Sequence, residues 1–157
     1  MTLPAALPIA MSEIATEIGT SLQLHLGDSR VIALAGQSAL PVSYSELVGK
    51  TGSITGNLGV AGEQMPSGVS FVNFSLPFVS GQTSGITSKP SINSYTLIFT
   101  TAPNWSGQIK ITNNTSGSYV ILTQESPTEW LGVSQTGSGA WITPGNNDNF
   151  TIEMYVP

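Results

Sequence analysis

With 157 residues the chain is long enough for one domain that buries roughly two-thirds of its unfolded surface, so it needs no disulfide or metal staple. Charged residues make up only 8%, against about 25% in ordinary soluble domains, and the net charge is −5. The cations Arg30, Lys50, Lys89 and Lys110 are too few and too scattered for a phosphate-tracking stripe, which excludes nucleic acid as an expected partner, and the absence of cysteine excludes thiol catalysis and cysteine-based zinc sites.

The opening "MTLPAALPIAM" has no basic leader and contains two prolines, so no signal peptide is expected. No run approaches the ~18 apolar residues of a membrane span, and no membrane partner is expected.

A phrase then occurs twice. "LPIAMSEIATEIG" covers Leu7 to Gly19, and "LPVSYSELVGKTG" covers Leu40 to Gly52. In the first copy Pro8 biases Leu7 toward extended backbone, Ser12 stands where an N-cap belongs, and Glu13 follows where the helix dipole favours an anion. Ile14 and Ile18 fall on one face at i, i+4, and Gly19 is the expected stop. The second copy offers Ser45 as cap, then Glu46, Leu47 and Val48, ended by Gly49. Between the copies, "GDSRVIALAG" predicts a short helix capped by Asp28 or Ser29, with Val31, Leu34 and Ala35 as its apolar face and Gly36 as its stop. The first third is thus three short helices, each too short to stand alone. They must pack on one another or on a partner.

From Gly52 onward the apolar period becomes two. Val72, Phe74, Leu76 and Phe78 alternate, as do Tyr95, Leu97 and Phe99. "GQIKIT" and "SYVILT" flank the turn-rich "NNTSG", which reads as a hairpin. Phe150, Ile152, Met154 and Val156 share one face of the last strand, and residues 80–90, "SGQTSGITSKP", read as a long loop. The expected fold is mainly β: a short N-terminal helical segment (1–52) followed by an antiparallel β-sandwich or jelly-roll-like domain (53–157), with a seam near Gly52 to Gly62.

The ordered elements "IAMSEI", "DSRVIALAG" and "VSYSELVGKT" carry a resemblance. They are similar to the N-terminal segment of small virion proteins of tailed bacteriophages, in which Ser-(Met/Leu)-Ser-acid motifs flank Asp-Ser-x-Val-x-x-Leu-Ala-Gly. The resemblance covers about 50 residues and departs at Leu47 and Val48, where that family has an aromatic pair; residues 53–157 carry none. It implies a non-enzymatic structural component of a phage particle, made in the host cytoplasm and located in the virion. The implied place is a tail-tip, baseplate or fibre, with head decoration or a head fibre as the alternative. The implied anchor is the helical segment with Ser12, Glu13, Ile14, Ile18, Val31, Leu34, Ser45, Glu46 and Leu47. Other virion proteins are the implied partners, and a homo-oligomer is expected because open strand edges are hidden by pairing. The alternative for the repeat is two economical helix starts packed under the β domain.

Few side chains suggest chemistry. His25 is the only histidine and sits among leucines, a setting for a structural residue rather than a base. Glu125 and Glu129 flank Pro127, which prevents a shared helix face. "PGNNDNF" has one carboxylate and reads as a tight turn rather than a calcium loop. No cofactor or metal is expected. Trp105 and Trp130 stand beside turn residues, where an exposed indole would stack on a host surface glycan, as in a carbohydrate-binding adhesin; the commoner role of tryptophan is core or interface area.

Overall fold

A computed structural model describes residues 2–20, 24–132 and 141–157. The protein is mainly β, with a curled antiparallel sheet and, among the described residues, two short α-helices. The helices are α1 (Met11–Glu17) and α2 (Ser29–Ala35). The strands are β1 (Ser53–Asn57), β2 (Gly62–Gln64), β3 (Val69–Asn73), β4 (Pro77–Phe78), β5 (Gly81–Lys89), β6 (Ser94–Thr101), β7 (Gln108–Asn113), β8 (Ser118–Ser126), β9 (Glu129–Gly132) and β10 (Asn149–Tyr155). Their spatial order is β1-β10-β7-β8-β9-β6-β5-β3-β2, with β4 paired to β5.

The curl passes through β8. Its first half, Ser118 to Leu122, pairs with β7, and its second half, from Thr123, pairs with β9. The alternating residues of both arms then face one interior. Ile109, Ile111, Phe150, Ile152 and Met154 come from one arm, and Tyr95, Leu97, Phe99 and Ile86 from the other; all are buried. Trp141 links the arms, edge-on to Tyr95 at 5.4 Å and to Phe150 at 5.7 Å between ring centroids.

Three strand expectations are corrected, the smallest being that β10 ends at Tyr155 and leaves Val156 exposed. Residues 80–90 are no loop: Gly81–Lys89 form the nine-residue β5, paired with β3, β4 and β6. The period is hidden by register shifts between Gln82 and Gly85, after which Ile86 resumes the inward face. Thr83, fully buried, closes a local ring by donating from Oγ1 to the Leu76 carbonyl and accepting from the Leu76 amide. A Cβ at Gly85 would stand 2.7 Å from the Val72 carbonyl oxygen, so this stretch is built from small residues for close backbone approach. The third correction concerns the alternation from Val72 to Phe78. It breaks after Asn73, Leu76 is exposed, and Phe78 belongs to the separate β4.

The first third also differs from expectation. α1 and α2 form where predicted, but the second copy of the repeat gives only a 3-10 turn, Tyr44–Leu47. Val48 is already outside helical backbone (ψ 126°) and Gly49 follows at φ 67°, whereas Ala15, Thr16 and Glu17 carry the first copy through another turn. The apolar helix faces expected from the sequence are not left uncovered. Ile14, Ile18, Val31, Leu34 and Leu47 are all 0% exposed and belong to the same continuous cluster as the strand residues.

Candidate functional site

The repeated phrase is a structural device before it is anything else. In the first copy the Ala10 amide donates to Glu13 Oε2 at 2.6 Å. In the second, the Ser43 amide donates to Glu46 Oε2 at 2.6 Å, and the Ser43 hydroxyl adds a bond of 3.0 Å. The glutamate three residues on thus reaches back to the N-cap amide in both copies, which is half of a capping box. Ser12 and Ser45 are therefore not the caps expected from the sequence. Each lies inside its turn, one step past the first helical residue, and the N-caps are Ala10 and Ser43.

The remaining positions of the two copies also correspond. Ile9 and Val42 are buried, as are Ile14 and Leu47, while Leu7 and Leu40 stand 55% and 59% exposed. Gly19 and Gly49 both have φ 67°. What the repeat presents outward is thus the pair of lead-in leucines, with Tyr44 beside Ser45, and not Ile14, Ile18, Val31, Leu34 or Leu47. Sequence reasoning missed these leucines; their recurrence outside the helical period was the available signal.

Charge in this segment serves the backbone. Asp28 caps α2, accepting from the Arg30 amide at 2.9 Å and from Arg30 Nε and Nη2 at 3.0 and 2.9 Å. The Arg30 guanidinium holds the Asp28 carboxyl below its ordinary range, against the opposing effect of burial. The Glu46 carboxyl is held low by the Ser43 amide, then by the Ser43 hydroxyl and Gln37. Glu17 behaves oppositely. It is 1% exposed, its Oε1 accepts from the amides of Gly52 and Ser53, and burial pushes its carboxyl up despite those bonds.

The other candidates lie at turns and a hairpin. His25 is exposed and its Nδ1 accepts from the Gly27 amide at 3.1 Å. Glu125 and Glu129 are both exposed at the β8–β9 hairpin. Gly145 turns the chain at φ 86°, and Asp148 accepts from Asn113 Nδ2 at 3.0 Å. Among the described residues no three His, Cys, Asp or Glu side chains cluster as metal ligands, and no helix is long and apolar enough to cross a membrane.

The tryptophans are interior. Trp130 is 0% exposed, with Nε1 donating to the Gly107 carbonyl and its ring against Phe99, so it offers no face for stacking on a sugar. Trp105 is 9% exposed and donates to the Gln108 carbonyl. It borders a groove of about 440 Å³ between α2 and the Pro103–Ser106 turn. Asn104 fixes that groove by donating from Nδ2 to the carbonyls of Ala33 and Gln37 at the end of α2.

No protein-family model matches the chain, and neither a curated protein nor a solved structure matches it.

Proposed function

We propose that this chain is a non-enzymatic structural component of a tailed-bacteriophage particle, most simply a tail-tip, baseplate or fibre protein. The observation that carries the reading is the order and spacing of "IAMSEI", "DSRVIALAG" and "VSYSELVGKT". The correspondence of the two copies in cap, buried positions and stop supports treating the segment as one built unit. On this reading the curled sheet is an antiparallel sandwich, and the segment is fastened to it through the shared core. Contact with neighbouring virion proteins then falls to Leu7, Leu40 and Tyr44, the large apolar residues of this segment that the core leaves outside. Copies of the chain associate with one another in the particle, which covers open strand edges such as that of β1.

Quantitative mass spectrometry of gradient-purified particles tests the proposal. A fixed, multiple copy number of this chain per particle is expected. Its absence from particles whose other components are intact would overturn the reading.

A further inference from the structure

The groove between α2 and the Pro103–Ser106 turn has a chemistry that the structural role does not use. No side chain lining it is charged. Ser29, Ser38, Ser106 and Gln124 line it, and among the described residues their side chains form no hydrogen bond. Ile32 and the exposed part of Trp105 add apolar surface. Two anchored groups keep the walls in place: Asn104 is tied to the carbonyls of α2, and the Trp105 indole to Gln108. At about 440 Å³ the space lies within the range of small-ligand sites, roughly 300–1,000 Å³.

We propose that this groove binds a neutral saccharide unit. A pyranose ring presents hydroxyls around its rim and C–H groups on its faces, which matches uncharged hydroxyl and amide side chains set beside a small apolar wall. Without a cation among the lining residues, an anionic sugar or a phosphate finds no counter-charge, and the net charge of −5 repels it. An extended peptide is less suited, because peptides gain affinity by pairing along a strand edge or by filling side-chain pockets, and this groove is walled by α2 and a turn, with Gln124 the one residue of β8 that lines it. The inference stands apart from the virion reading, since it concerns the isolated chain.

The test is an amide-resonance titration of the full chain with the methyl glycosides of glucose, galactose, mannose and N-acetylglucosamine, and with methyl glucuronide as the anionic control. At least one neutral glycoside should shift Ser38, Asn104 to Ser106 and Gln124 together, and the glucuronide should not. The surface variant Ser38→Ala/Gln124→Ala should keep the fold and weaken that binding roughly tenfold. No shift with any neutral glycoside would overturn the proposal, as would shifts that the double variant leaves unchanged. Tighter binding of a neutral Gly-Ser-Asn peptide at the same resonances would assign the groove to a protein segment and equally overturn it.

Discussion

Glu17 Oε1 accepts hydrogen bonds from the amides of Gly52 at 2.8 Å and Ser53 at 3.1 Å, so a buried carboxylate at the end of α1 holds the first residue of β1. This contact joins the helical segment to the sheet at the point where the sequence suggests a seam. Gly52 also lies against Ile18 and Leu34, where a Cβ would come within 3.2 to 3.3 Å of their side chains.

Replacing Glu17 with alanine should therefore destabilise the whole fold. Two buried amides lose their acceptor, and such unsatisfied groups cost on the order of 1–3 kcal/mol each. Denaturant unfolding should show one transition shifted to lower midpoint, because the segment and the sheet share one core. A separate early transition confined to residues 1–52 would contradict this.

The pH dependence of the same site follows from its sign. Burial raises the folded-state pKa of Glu17, so its contribution is fully present below the ordinary carboxylate range and is lost as pH rises through the folded value. Glu17→Gln, which keeps an acceptor and carries no charge, should gain stability relative to the natural chain as pH rises toward neutrality. Asp28 has the opposite sign: Arg30 lowers its pKa, so its contribution is present above the unfolded value and lost as pH falls through the folded one. Asp28→Asn should accordingly flatten the acid limb. Unfolding midpoints of both variants across the acid range check the pair.

The two stop glycines should differ. Both have φ 67°, and an alanine forced there costs about 1 kcal/mol. A Cβ at Gly49 would meet nothing within 4 Å, whereas one at Gly19 would stand 2.5 Å from Glu153 Oε2, whose partner oxygen pairs with Lys110 at 3.4 Å. Gly19→Ala should thus be the more damaging in thermal unfolding. Equal effects would mean that the Glu153 side chain moves aside freely.

Capping should track glutamate and not serine. Ser12→Ala and Ser45→Ala are expected to stay within about 0.5 kcal/mol of the natural chain, since both residues are exposed and Ser45 loses only a solvent-exposed hydroxyl contact with Ser43 at 2.8 Å. Glu13→Ala and Glu46→Ala should each lower stability more than the neighbouring serine change, because each removes the acceptor of an N-cap amide. Chemical denaturation of the four variants side by side decides between the two readings.

How much of this was legible follows from which signals are local. The paired alternations of β6, β7, β8 and β10 and the hairpin at Asn114 to Gly117 were readable because period two and turn residues coincide there. So were the glycine stops, since positive φ has few other solutions. β5 was not, because its register shifts and small residues erase the period. The capping glutamates were seen only as favourable charges, since serine at a plausible offset is the stronger local signal. Glu17 was invisible: nothing in "EIATEI" says that its second acid turns inward toward amides far along the chain. The indole placements of Trp105 and Trp130 likewise depend on which arm of the sheet folds over them.

The most direct measurement is a cryo-electron microscopy map of the intact particle, resolved well enough to orient this chain. Under the proposed virion role, multiple copies are expected, each meeting a neighbouring protein through Leu7, Leu40 and Tyr44. Density that places the chain with those residues in solvent and the sheet as its attachment, or that contains no copy of it, would contradict that role.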